Sequence, residues 1–221
     1  MNSKPKRRTR NDPRKEATRT AIIEAAESLF AEFGIDGVSL RQIGTASGSS
    51  NTGVVAYHFG DKATLVEAIF HYRLPGIEAR RGELLAEVQQ AGGESDLLAL
   101  LKALWQPLFE QRNEQGQHSY AGFLAALMRS NWGPSRVAVS EHYAISTQLG
   151  ELMEAALPRA LRPLFLDRLN STTLMVTGVL QLIDQSDLIE NKHREQADVA
   201  QTRFKDTLHM VCAALLATTG K

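Results

Sequence analysis

Arg41, Ser50, Asn51, Thr52, Tyr57, His58 and Lys62 stand close together in Gly37-Val-Ser-Leu-Arg-Gln-Ile-Gly-Thr-Ala-Ser-Gly-Ser-Ser-Asn-Thr-Gly-Val-Val-Ala-Tyr-His-Phe-Gly-Asp-Lys62. These residue types read and hold duplex DNA. The Arg41 fork matches the guanine edge, the Asn51 amide can pair bidentately with adenine, and the Thr52 methyl suits thymine. Ser50 adds a small donor and acceptor, and Gly53 leaves room for close backbone approach. Tyr57, His58 and Lys62 can donate to phosphate oxygens, which position a protein without choosing sequence. Each has a structural competitor: an intradomain salt bridge for Arg41, packing on Phe59 for Tyr57, plain solvation for Lys62, helix packing for Gly53.

Two short helices must present these groups. Leu40, Ile43 and Ala46 give an apolar stripe, Ser39 is a natural N-cap, and Gly44 keeps the helix slim at a crossing. Ser47-Gly48-Ser49 is a turn. A second short helix is expected to follow at once, with Val54 and Val55 inward and Ser50, Asn51 and Thr52 at its N-terminal end. That is a helix-turn-helix, in which one helix braces and the other enters the major groove. Before it, Ile22, Ala25, Ala26, Leu29, Phe30 and Phe33 predict a helix over 16–34 that stops at Gly34.

At these residues the chain resembles the TetR family of bacterial transcriptional repressors. The likeness is carried by Thr20-Ala-Ile-Ile-Glu-Ala-Ala-Glu-Ser-Leu-Phe-Ala-Glu-Phe-Gly34, by Gly37-Val-Ser-Leu-Arg-Gln-Ile43 and by Tyr57-His-Phe-Gly-Asp-Lys62 with Leu65. The resemblance implies that Tyr57, His58 and Lys62 contact phosphate. It also implies a homodimer on a palindromic operator, a small-molecule effector pocket, and a bacterial cytoplasmic, nucleoid-associated protein. The segment from Gly48 to His58 is one residue longer than the family's usual pattern. Val55-Ala56 replaces a Leu-Tyr pair, so Ala56 cannot make the phosphate contact that a tyrosine there makes.

Charge supports a nucleic-acid partner. Residues 1–62 hold ten Lys and Arg against seven Asp and Glu, and 63–221 hold fifteen against eighteen, so a net charge of zero hides a basic head. Lys4, Lys6, Arg7, Arg8 and Arg10 form an arm that can lie along phosphate or in the minor groove. Solubility alone is the competing use of that arm.

The remaining sequence reads as helices. Asp61 caps a long one through Gln90 that Pro75-Gly76 should kink or break. Asp96–Gln115 is interrupted by Pro107, and 118–132, 136–157, 165–189 and 196–218 follow. The expectation is an all-α chain of about nine helices. It divides into a basic arm (1–15), a helix-turn-helix DNA-binding domain (16–65) and a helical effector-binding and dimerisation domain (66–221). In the last, Trp105, Phe109, Tyr120, Phe123, Met128, His142, Tyr143 and Met175 are candidate pocket residues, although aromatics at helical spacing are more often core. Leu174, Val179 and Leu182 on one C-terminal helix, with Leu208, Val211 and Leu215 on the other, are candidates for a four-helix dimer interface, while also suited to the chain's own core.

No G-x-S-x-G, S-x-x-K, H-E-x-x-H, P-loop or dinucleotide glycine fingerprint occurs, so an enzyme is not expected. The six histidines form no i, i+4 pair, and neither metal nor cofactor is expected. The single Cys212 lies in an apolar run, and no apolar stretch is long enough for a membrane span. The sequence points to a DNA-binding regulator, most simply a repressor released by an inducer. An activator, or a protein-interaction module without inducer, remains open.

Overall fold

The computed structural model describes residues 13–51, 53–132, 143–190 and 193–218, the side chains of 187–197 excepted. The basic arm with Arg7, Arg8 and Arg10, and the candidates Thr52 and His142, lie outside the described residues. Among those described there are nine α-helices, one short 3-10 turn and no strand. They are α1 Pro13–Phe33, α2 Leu40–Ala46, α3 Val54–Phe59, α4 Lys62–Gln90, α5 Leu97–Glu110, α6 Ser119–Met128, α7 Ala144–Ala156, α8 Phe165–Glu190 and α9 His193–Leu216.

Helix α1 starts three residues earlier than its apolar stripe suggests. Pro13 takes the first helical position, where its missing N–H costs nothing. Ile22, Ala26 and Phe30 are buried in one apolar cluster that also holds Ile43 of α2, Val54, Val55 and Phe59 of α3, and Leu65 and Ile69 of α4.

Of the kink or break expected at Pro75-Gly76 the break does not occur, and Pro107 does not interrupt its helix. Helix α4 runs from Lys62 to Gln90 through Pro75, and α5 continues to Glu110 beyond Pro107. Pro75 is exposed while Ile69, Phe70, Ile77, Glu78 and Arg81 on both sides of it are buried, so packing of the whole helix outweighs one lost backbone bond. A boundary at residue 65 therefore falls inside a continuous helix that joins the N-terminal head to the rest.

The two parts also meet where α6 crosses α1. Gly122 lies so close to Ala31 that a Cβ on the glycine would stand 2.7 Å from the Ala31 Cβ. Beside this contact Glu27 is fully buried. Arg73 donates Nε to its Oε2 at 2.7 Å and Nη2 to its Oε1 at 3.1 Å, and Ser119 donates its hydroxyl at 2.5 Å. Burial alone would lower the Arg73 pKa; the Glu27 carboxylate more than reverses that and raises it. Helices α8 and α9 are antiparallel, since Arg168 reaches the carbonyls of Leu215 and Ala217 and Arg203 reaches Ser186.

Candidate nucleic-acid interface and effector cavity

Local backbone chemistry builds the head. Ser39 and Gln42 form a capping box at the start of α2. At its end Ser49 N–H bonds to Gly44 C=O and Gly48 N–H to Thr45 C=O, with Gly48 at φ +78°, the left-handed conformation that favours glycine. Gly44 lets α3 approach closely: a Cβ there would sit 3.4 Å from Val54 Cγ1.

The second helix begins later than the sequence suggests. Ser50, Asn51 and Gly53 belong to the connecting loop, and α3 starts at Val54 with Gly53 as its N-cap. Asn51 Oδ1 accepts from Gly53 N–H at 2.9 Å, its N–H donates to Ser49 Oγ at 3.1 Å, and its carbonyl accepts from Val54 N–H. Its side-chain oxygen therefore shapes the loop, which leaves the amide NH2 for an outside acceptor. Ser50, Asn51 and Gly53 are exposed.

Arg41 is exposed, and among the described residues its guanidinium makes no hydrogen bond or ion pair, so the salt-bridge alternative is not realised. Tyr57 is 76% exposed and does not pack beneath the helices. Its ring stands edge-on to His58, with Lys15 Nζ 6.0 Å from its centroid. The Lys62 ammonium donates to Ile35 C=O at 2.8 Å and ties α4 to the turn after α1. His58 is half-buried, with Nδ1 enclosed and without a hydrogen-bond partner among the described residues. Burial first, then the charges of Arg19 and Lys15, lowers its pKa.

The start of α1 is the part of the head that the sequence analysis missed. Arg19 donates to His58 C=O at 2.9 Å and lies 4.4 Å from the Phe59 ring centroid, so it fastens α1 to α3. Lys15, one turn earlier, stands beside Tyr57. The i, i+4 spacing of Lys15 and Arg19 after Pro13 was the available signal, obscured by the basic arm beside it. Asp61 caps α4 by accepting from Thr64 N–H at 2.8 Å, and this bond holds its carboxyl below the usual range.

A cavity of about 400 Å³ opens between α4, α5, α6, α7 and the start of α8. Of the residues named from sequence, Trp105, Tyr120, Met128 and Tyr143 lie in its wall, joined by Phe70, Leu74, Leu104, Leu124 and Phe165. Three other candidates are elsewhere. Phe109 stacks on Phe204 at 4.5 Å between ring centroids, Phe123 is fully buried against Phe30, Phe70 and Tyr120, and Met175 does not reach the cavity. Helix α7 contributes a polar stripe of Ser146, Thr147, Gly150, Glu151 and Glu154, one turn apart in succession.

Arg81 reaches the wall but is committed within it. It donates to Leu104 C=O, to Glu78 and to Ser146 Oγ, while Glu78 accepts the N–H groups of Ile145 and Ser146 at the start of α7. Burial lowers the Arg81 pKa and Glu78 opposes that shift; burial, aided by Glu78, also raises the Tyr143 phenol. The indole N–H of Trp105, a residue only 5% exposed, has no acceptor among the described residues.

Of the interface candidates, Leu174 and Leu182 are exposed and Val179 is half-buried. Leu208, Val211 and Leu215 are buried in the chain's own core, because α9 turns that stripe inward against the other helices. Among the described residues, Val199, Met210 and Leu216 are the large apolar side chains that α9 exposes instead. No cluster of three His, Cys, Asp or Glu able to hold a metal occurs among the described residues, and burial raises the Cys212 thiol away from thiolate reactivity. No described helix is long and apolar enough to cross a membrane.

Residues 22–69 match the family described as bacterial regulatory proteins, tetR family. Over 52 residues the chain is 40% identical to the HTH-type transcriptional repressor AcnR of Corynebacterium glutamicum, a match covering 24% of this chain and 27% of that protein. The chain thus spans about a quarter of that curated relative's length. In fold it is similar to a putative tetR-family transcription regulator from Shewanella sp. PV-4 (TM-score 0.48, 19% identity, 87% of this chain and 97% of that one). It is also similar to NalD of Pseudomonas aeruginosa, the secondary repressor of the MexAB-OprM multidrug efflux pump (TM-score 0.44, 22% identity, 88% and 96%).

Proposed function

Since residues 22–69 belong to the tetR family of bacterial regulatory proteins, we propose that this chain is a DNA-binding transcriptional regulator of the bacterial cytoplasm. It acts as a repressor, holds a palindromic operator as a homodimer, and releases it when a small organic molecule enters the cavity. The observation that carries the reading is the outer face of the head. Arg41, Ser50, Asn51 and Tyr57 are exposed there beside Lys15, while the apolar side of the same elements is spent on the core. Arg41 and Asn51 are the base readers of this proposal, and Tyr57 and Lys15 the phosphate contacts.

A head of this size makes few base contacts, so two are needed for specificity. Exposed Leu174 and Leu182 on α8, with Val199, Met210 and Leu216 on α9, support pairing through these helices. Release by a ligand requires unequal affinity for the DNA-competent and incompetent states, with coupling of about 1–3 kcal/mol. Helix α4 supports that coupling, since Lys62 anchors it in the head, Arg73 holds Glu27 of α1, and Phe70, Leu74 and Arg81 line the cavity. Selection from random duplex DNA tests the reading. Enrichment of a palindrome with half-sites about one helical turn apart, or a multiple of it, is expected. Recovery of no palindrome at moderate salt refutes it.

A further inference from the structure

We infer that Asn51 reads its base as a donor only: the edge it meets presents hydrogen-bond acceptors, guanine best, and cytosine is the base it excludes. The inference rests on the proposal that the head reads operator DNA, and it names the chemistry that one residue of that head selects.

Asn51 has four polar functions, and three are spent inside the loop. Its N–H donates to Ser49 Oγ at 3.1 Å, its C=O accepts from Val54 N–H at 3.2 Å, and its Oδ1 accepts from Gly53 N–H at 2.9 Å. Because Gly53 N–H is a donor, the side-chain atom that faces it must be the oxygen, which fixes the orientation of the amide. That oxygen also lies against the main chain, since a Cβ on Gly53 would stand 3.5 Å from it. The NH2 group remains, on an exposed residue and with no acceptor among the described residues.

Bidentate pairing with adenine needs the amide oxygen and the amide NH2 on the same base edge together. Turning Asn51 to offer both would break its bond to Gly53, the N-cap of α3, and a glycine has no side chain to replace that cap. Donation by NH2 alone leaves the loop intact. In the major groove guanine offers two acceptors, adenine N7 and thymine O4 offer one each, and cytosine offers none. A donor-only reader therefore ranks guanine first and cytosine last. Arg41 points the same way, because a guanidinium has donors only and this one has no hydrogen bond or ion pair among the described residues. The contact belongs to a side chain and draws on no helix end, since the Gly53 and Val54 N–H groups are already bonded.

Selection from random duplex DNA with the full chain, Asn51→Ala and Asn51→Asp tests the inference, with Tm measured for each. Asn51→Ala, which lacks both groups, should lower Tm and relax the one half-site position that Asn51 reads. At that position the parent should favour guanine and bind the cytosine duplex about fivefold or more weaker, the cost of one mismatched pair. Asn51→Asp keeps an oxygen for Gly53 N–H and replaces the outer NH2 with an acceptor. Its Tm should match the parent's while its base choice inverts, taking cytosine through the N4 amino group and rejecting guanine. Its added charge weakens every duplex alike, so the order of the four bases stays readable. A parent preference for adenine over guanine at the relaxed position overturns the donor-only assignment in favour of bidentate pairing. So does cytosine bound as well as guanine, or an Asn51→Asp order equal to the parent's. An Asn51→Asp protein destabilised like Asn51→Ala also overturns it, because the oxygen then does not hold the loop. If Asn51→Ala relaxes no position, or weakens all sequences alike, the assignment falls while the parent's palindrome, and the regulator reading with it, stands. If the parent enriches no palindrome, both fall.

Discussion

Gly122→Ala sets two effects of known size against each other at the junction of α1 and α6. Alanine in place of glycine inside a helix stabilises by about 0.8–1.0 kcal/mol. The new Cβ would stand 2.7 Å from Ala31 Cβ and 3.1 Å from Gln181 Nε2. Unstrained carbon contacts begin at about 3.5–4.0 Å, so α6 and α1 must separate by about 1 Å. Gln181 can turn its amide aside, but Ala31 Cβ is fixed to the α1 backbone. Overpacking of this kind costs about 1–3 kcal/mol, so the clash should win by about 1 kcal/mol on balance. For a chain of this length that is a fall of about 2–4 °C in Tm. Urea unfolding followed by circular dichroism measures it, and Ala31→Gly supplies the control. Alone, Ala31→Gly should cost about 1 kcal/mol of helix propensity; combined with Gly122→Ala it should relieve the clash, giving a favourable coupling of about 1 kcal/mol or more. A Gly122→Ala protein as stable as the parent, or a cycle without coupling, would refute the idea that this close approach limits the junction.

Glu27→Gln leaves Arg73 buried against a neutral amide and should destabilise by about 3 kcal/mol, read as a urea midpoint shift at constant slope; a change below about 1 kcal/mol would contradict a buried ion pair here. Asp61→Asn tests the α4 cap. The folded pKa of Asp61 lies below its ordinary value of 3.8, so the carboxylate's contribution is present above that value and lost as pH falls through the folded pKa. The parent's advantage over Asp61→Asn should therefore hold at neutral pH and vanish in acid, and an advantage unchanged into acid would be inconsistent with it. Arg41→Ala should relax base preference at one operator position by about 1–3 kcal/mol, whereas Lys62→Ala should lower Tm through the lost Ile35 bond; a binding loss from Lys62→Ala at unchanged Tm would show that Lys62 serves phosphate after all. Leu182→Glu, at a position 58% exposed on α8, should shift sedimentation from dimer to monomer at unchanged helicity, and an unchanged dimer would remove α8 from the proposed interface.

By itself the sequence determined those features that a few adjacent residues decide. The Ser39 and Asp61 caps, the turn at Gly48 and the slim crossing at Gly44 all stand where the residues put them, because each depends on backbone groups within one turn or on an immediate helix partner. The all-helical class followed from periodicity for the same reason, and so did the burial of Ile22, Ala26, Phe30 and Ile43, whereas Phe33 and Ala46 of the same predicted stripes stand exposed. Tertiary structure decided the rest. Whether Pro75 breaks a helix depends on how much apolar surface lies on both sides of it, and here burial on each side prevails. That Lys62 reaches the Ile35 carbonyl depended on where that turn comes to rest. Which aromatics surround empty space and which fill the core could not be read from spacing, since Phe109 and Tyr120 differ only in what the other helices set against them. Nothing in the residue spacing singles out Arg81, which is a buried strut because only the fold brings α4, α5 and α7 together around it.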